Sequence, residues 1–172
     1  ALYASGTNNS DKSKITVKTD TLAINNSSNS NAIQATNGIV DVTAEKTEIN
    51  GSYVFDDPIS DNYGNKSGGG IQAFTGGQVI FHDTGSRDTN GKSTQSLVIR
   101  NGHLWAHRSS NTEDANLVKV EAGSVSMENS TFLANPNGSI QLGSDSNPLT
   151  SFVLDRQQPS VGNSNGAIVA RG

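Results

Sequence analysis

Apolar residues in this chain come in short bursts that alternate with polar ones, and the bursts recur along its length. Ile15-Thr16-Val17, Val40-Asp41-Val42, Val125-Ser126-Met127, Ile140-Gln141-Leu142 and Phe152-Val153-Leu154 are examples. Side chains two apart point to one face of an extended strand, so this period reads as strand and not as helix. Gly, Asn, Ser and Asp bound each burst, and these residues form turns. Ser, Asn, Gly and Thr supply 75 of the 172 residues, and hydrophobic residues only 32%. A chain so composed resists helix and cannot fill a thick globular core. Disorder and a β fold with a small core are the two outcomes left. Disorder would scatter the apolar residues without period, and here they cluster.

Other classes fall away quickly. There is no cysteine, which removes a disulfide framework, a thiolate zinc site and a thiol nucleophile. Apolar runs are far shorter than the ~20 residues of a membrane-spanning helix. Twelve basic residues stand singly against sixteen acidic ones, for a net charge of −4. Without a basic stripe, nucleic acid is not an expected partner. Ala1-Leu2-Tyr3-Ala4 has neither the basic start nor the apolar stretch of a targeting signal.

The bursts follow a repeat. A small residue, an apolar residue, any residue and a second apolar or small residue are followed shortly by Gly. The pattern occurs as Ala1-Leu2-Tyr3-Ala4-Ser5-Gly6, Ala32-Ile33-Gln34-Ala35-Thr36-Asn37-Gly38 and Gly70-Ile71-Gln72-Ala73-Phe74-Thr75-Gly76. Leu117-Val118-Lys119-Val120-Glu121-Ala122-Gly123 and Ala167-Ile168-Val169-Ala170-Arg171-Gly172 read as further copies of the same strand. A second strand follows the Gly, with Ile15/Val17, Val40/Val42, Val79/Phe81, Leu104/Ala106, Val125/Met127 and Ile140/Leu142 as its inward pairs. A third holds Leu22/Ile24, Thr47/Ile49 and Leu97/Ile99, with Phe132 seven residues past Val125.

Three short strands per repeat predict a solenoid, in which like strands of successive coils stack at about 4.8 Å and pair in parallel. The expected ladders are Leu2, Ile33, Ile71, Val118 and Ile168 on one sheet, and Ile15, Val40, Val79 and Val125 on the next. Asn26, Asn50, Asn101 and Asn129 are candidates for a stacked polar ladder, or are ordinary turn residues. Repeat lengths grow from about 31 to about 50 residues, which predicts about five to seven coils with long loops.

The stretches Ala32–Val42, Gly68–Phe81 and Ala122–Phe132 resemble the passenger domains of bacterial autotransporters, the type V secretion proteins. The resemblance lies in the repeat style, extends over most of the chain and carries no catalytic signature. It implies a right-handed parallel β-helix of the pertactin-like kind, with residues 1–172 a single segment excised from a larger passenger. It also implies export as an extended chain, which suits the lack of cysteine, and an extracellular place, at the bacterial surface or released.

Candidate chemistry is sparse. Asp56, Asp57 and Asp61, with Tyr63, form the one acidic cluster. It reads as a solvated turn at Asp57-Pro58, with cation binding by hard oxygens or acid–base work as the other readings. His103 and His107 would share a face but lie about 13 Å apart, too far for one metal. The three histidines read as surface residues, and no cofactor or metal is expected. Trp105, between Leu104 and Ala106, is a candidate exposed anchor for a sugar or protein partner, or packs under a loop.

Insertions at one point of each repeat should stack along one edge. Residues 25–31, 56–69, 108–115 and 155–166 all precede the first strand, and bring Asp56, Asp57, Asp61, Tyr63, Arg108, Glu113, Asp114, Asp155, Arg156 and Gln157 to that edge. A separate insertion at 84–95, with Arg87, Asp88 and Lys92, leaves from the next corner. Loops on a rigid scaffold are the usual carriers of binding. The expected function is therefore a non-enzymatic adhesin or virulence factor that binds a host cell-surface protein, a glycan or another cell. A ligand signalling through a host receptor, a self-associating passenger and a structural spacer are alternatives. A β-helix polysaccharide lyase or hydrolase is the enzymatic one.

Overall fold

A computed structural model of the chain describes residues 1–8, 10–25, 31–51, 70–107, 115–134, 138–156 and 167–171. Among these the protein is all β, with no helix. Its strands are β1 (Leu2–Ser5), β2 (Ser13–Asn25), β3 (Ile33–Thr36), β4 (Gly38–Asn50), β5 (Gly70–Phe74), β6 (Gln78–Phe81) and β7 (Ser96–Arg100), followed by β8 (His103–His107), β9 (Asn116–Val120), β10 (Ser124–Glu128), β11 (Thr131–Ala134), β12 (Gly138–Leu142), β13 (Ser151–Asp155) and β14 (Ala167–Ala170).

Every pairing between named strands is parallel. One sheet runs β1-β3-β5-β8-β11. The other runs β13-β10-β7-β4-β6-β9-β12-β14, with β2 on β4. The second sheet serves two faces, because the long strand β4 pairs with β6 through Ile39–Val42 and with β7 through Lys46–Asn50. From β1 to β13 the chain visits a first, a second and a third face in turn, and β14 pairs with β12 on the second face. That is compatible with a parallel β-solenoid.

Six ladders of register partners run along the three faces, buried over most of their length and with Leu154, in the last strand of the third face, 42% exposed. On the first face Leu2, Ile33, Ile71, Leu104 and Phe132 are successive partners, and beside them runs an all-alanine row, Ala4, Ala35, Ala73, Ala106 and Ala134. On the second face Ile15, Val40, Val79, Val118, Ile140 and Ile168 align, next to Val17, Val42, Phe81, Val120, Leu142 and Ala170. The third face aligns Leu22, Thr47, Leu97, Val125 and Phe152, and Ile24, Ile49, Ile99, Met127 and Leu154. Most of these side chains form one buried cluster. Each fully buried aliphatic residue stabilises the fold by about 1.5–3 kcal/mol relative to exposure, so two per short strand suffice.

The third-face pairs Leu22/Ile24, Thr47/Ile49 and Leu97/Ile99 stand as the sequence predicts. Several other assignments are corrected. Val118 and Ile168 belong to the second ladder and not the first, Leu104 and Phe132 to the first, and Val125 to the third. The alternation is the same on every face, so a burst carries no label of its own, and the unequal insertions shift the phase. The asparagine stack is two pairs: Asn50 Nδ2 donates to Asn25 Oδ1 at 3.0 Å, and Asn129 Nδ2 to Asn101 Oδ1 at 2.8 Å. Asn101 and Asn129 both turn the chain with φ near +50° (51° and 47°), a conformation asparagine tolerates better than most residues. Asn26 lies outside the described residues.

At the corner between first and second faces, the interior narrows to backbone contact. A Cβ on Gly77 would lie 2.0 Å from the carbonyl oxygen of Ala35, and one on Gly38 2.6 Å from that of Ala4. These glycines hold equivalent positions in successive strands, which is why Gly follows the first strand in the repeat.

Candidate functional site

Of the residues expected on the loop edge, Asp56, Asp57, Asp61, Tyr63, Arg108, Glu113, Asp114 and Gln157 lie outside the described residues. Asp155 and Arg156 are described and exposed. Asp155 ends β13, and its carbonyl accepts the Asn129 N–H at 2.9 Å. Arg156 reaches back across the third face to pair with Glu128, which also faces Arg100 at 3.6 Å. These two residues thus extend a surface ion-pair row.

Trp105 is not an exposed anchor. It is only 2% exposed. Its ring stacks on His103 at 4.0 Å between centroids, and Nε1 donates to Thr131 Oγ1 at 3.0 Å. Leu104 and Ala106 do face the interior, so Trp105 does point away from it, but the outer side of the first face is itself buried at this point. His103 is buried as well, against the expectation of a surface histidine. Its Nε2 donates to Asn31 Oδ1 at 2.8 Å, and Asn31 Nδ2 donates to Gln34 and Gln72 at 2.7 and 2.6 Å. This polar layer packs and satisfies groups that burial would otherwise penalise.

The described residues gather their densest chemistry elsewhere, on the outer side of the second face. Residues 82–95 leave β6 and rejoin the chain at β7. Asp83 anchors this loop. Its carboxylate takes Arg87 Nη1 and Nη2 at 2.9 and 2.5 Å, the Gly85 N–H at 2.9 Å and Asn147 Nδ2 at 3.1 Å. The Arg87 guanidinium, foremost, lowers the Asp83 pKa to about 2. Asp88 caps the tip by accepting the N–H groups of Asn90 and Lys92. Ser86 and Thr94 hold Glu45, at the bend of β4, and Gln95 Nε2 donates to the His82 carbonyl at 2.9 Å.

His82 sits at the root of the loop between two carboxylates. Nε2 is 3.1 Å from Asp41 Oδ1, and Nδ1 is 3.2 Å from Glu121 Oε2. Lys14 holds the other oxygen of Asp41 at 2.6 Å, and Lys119 holds that of Glu121 at 3.1 Å. Burial pushes the Asp41 carboxyl up, but hydrogen bonds from Lys14 and His82 outweigh it and leave it below its ordinary value. Glu121 behaves likewise: burial raises it, while the Asp83 N–H and Lys119 bring it below the usual range.

Beside this cluster lies an open groove of about 310 Å³, lined by Asp83, Lys119, Glu121, Gly143, Ser144 and Asn147. One wall is the loop at 82–95, the other the turn that follows β12. Its lining offers carboxylate, ammonium, hydroxyl and amide groups within one small surface. Among the described residues, no group of three or more His, Cys, Asp or Glu is placed to hold a metal ion, and no helix is long and apolar enough to cross a membrane.

Sequence reasoning missed this cluster for one reason. Placing Val118 on the first face put Lys119 and Glu121 on a different sheet from Asp41 and His82. The true register makes Asp41, Ile80 and Lys119 neighbours, and brings Glu121 beside His82. The signal was present in the Val-x-Val spacing of β4 and β9, had these been aligned with each other.

Comparison with protein-family models, with curated proteins and with solved structures finds no match to this chain.

Proposed function

We propose that the chain is a stretch of the right-handed parallel β-helix of a bacterial autotransporter passenger, and that it acts outside the cell by binding and not by catalysis. The partner is a host cell-surface protein or glycan. The observation that carries this reading is the stacking of short parallel strands over a narrow aliphatic interior in a chain without cysteine. Such a scaffold is stiff, and it presents its loops at fixed corners, where recognition is normally placed. The polar groove between the loop at 82–95 and the turn after β12 supports the same reading. Its carboxylates are already engaged by cations and amides, an arrangement suited to contact and not to proton transfer.

The test is saturable binding of the isolated chain to host cells and to a glycan array, run beside a reducing-sugar and unsaturated-uronate assay. Binding without polysaccharide cleavage is expected. Lys119→Ala should weaken it at unchanged thermal stability, since an exposed ion pair contributes only about 0–1 kcal/mol. Ser126→Lys on the flat third face should leave it intact. Cleavage activity, or no binding to any cell or glycan, would overturn the reading.

A further inference from the structure

We propose that the groove between the loop at 82–95 and the turn after β12 is a subsite for an uncharged saccharide, one ring of a glycan chain. The inference rests on the reading of the chain as a binding passenger, and it narrows the partner that reading leaves broad. Its basis is the charge balance of the lining. Two carboxylates line the groove, Asp83 and Glu121, and each is matched by a cation. Arg87 Nη2 lies 2.5 Å from Asp83 Oδ2, and Lys119 Nζ lies 3.1 Å from Glu121 Oε1. On the turn that forms the other wall, Asp145 pairs with Arg171 at 2.5 Å.

The carboxylate acceptors are occupied as well. Asp83 Oδ1 accepts from Gly85 and Arg87, and Oδ2 from Arg87 and Asn147. Glu121 Oε1 accepts from Lys119, and Oε2 from the Asp83 N–H, with His82 Nδ1 also at 3.2 Å. A cationic ligand would have to displace Arg87 or Lys119. An anionic one would gain Lys119 but meet both carboxylates, and like-charge juxtaposition suppresses such partners. What the lining still offers is hydrogen bonding to a neutral group. The Lys119 ammonium has three N–H groups, of which Glu121 takes one. Asn147 gives Nδ2 to Asp83 and keeps its amide oxygen as an acceptor. Ser144 brings a hydroxyl, which donates and accepts. A sugar hydroxyl does both too, so a ring edge can meet these groups without unpairing a charge.

The walls are set before a ligand arrives. The Asn147–Asp83 hydrogen bond ties one to the other at 3.1 Å. Ser144 and Asn147 exchange two backbone hydrogen bonds at 3.0 and 3.2 Å, and the Gly143 N–H donates to Val120 at 2.8 Å. A preorganised site loses less to ordering when it binds. Its volume of about 310 Å³ is at the small end of ligand pockets, which suits a single ring.

The test is nitrogen-15 chemical-shift mapping of the native chain titrated with galactose, glucose and N-acetylglucosamine, and with sialic acid and glucosamine as charged counterparts. Saturable shifts of the Asp83, Lys119, Ser144 and Asn147 amides with an uncharged sugar are expected. Because no ligand charge is engaged, the dissociation constant should change less than about twofold between ~50 and ~500 mM salt, a range that screens exposed charges. Lys119→Met, which keeps the aliphatic stem and loses the donors, should weaken binding about tenfold, and its own spectrum reports whether it is folded. Tighter, salt-sensitive binding of a charged sugar would overturn the inference, as would unchanged affinity in folded Lys119→Met. Saturable binding to host cells with no sugar moving the groove amides would also overturn it, while leaving the function proposed above standing. No binding to any cell or glycan would defeat both.

Discussion

Single residues here show how poorly the inward or outward choice predicts exposure. Trp105 faces away from the interior yet is buried, with its indole N–H tied to Thr131 and its ring on His103. Its role is packing. Trp105→Phe should cost at least about 1 kcal/mol, because it strips one buried hydrogen bond from Thr131, and urea unfolding measures it. Asp83 is the opposite case, a surface acid whose partners make it structural. Its pKa stands at about 2 instead of 3.8, chiefly through Arg87. A depressed acid contributes stability that is full above the unfolded value and lost as pH falls through the folded one. Unfolding followed from pH 5 down to pH 2 should therefore show the native chain losing its advantage over Asp83→Asn, about 1 kcal/mol once solvent screening is allowed for. An advantage that persists at pH 2 would rule out this role.

The strands were largely legible in the sequence as elements, since period-two bursts bounded by turn formers predict them without any partner. Their faces were less so. The third-face pairs were readable because β2 and β4 run unbroken from second face to third, fixing the spacing between the two sets. Beyond β7 the insertions vary in length, and a valine pair such as Val118/Val120 fits any face equally well. The loop at 82–95 was recognisable as an insertion, but its anchoring by Glu45, Glu121 and Asn147 depends on residues 38–64 positions away in sequence. No local pattern reports such contacts. The corner glycines were legible as a motif, and the structure supplies the reason. Gly77→Ala would drive a methyl into the Ala35 carbonyl, so the turn must shift, at about 2 kcal/mol or more. Thermal unfolding should show a lowered midpoint, whereas Gly91→Ala, where a Cβ would meet nothing within 4 Å, should cost less despite its φ of +76°.

At the scale of the whole molecule, the composition ceases to be a puzzle. Two inward residues per strand, repeated on three faces, build a continuous core from a chain that is only 32% hydrophobic. The polar majority fills turns, outer ladders and ion-pair rows. The function proposed for this scaffold depends on the register, because register alone brings Asp41, His82, Lys119 and Glu121 together. A chain without cysteine allows that register to be tested cleanly. Ile80 and Lys119 are direct partners on neighbouring parallel strands, about 4.8 Å apart and within disulfide reach. Gln72 and Lys119 occupy equivalent places in the sequence repeat but lie on different faces. The decisive measurement is disulfide formation, read by mass under mild oxidation, in Ile80→Cys/Lys119→Cys and in Gln72→Cys/Lys119→Cys. Closure of the first pair with the second remaining reduced is the predicted result, and closure of the second pair instead would contradict the stacking described.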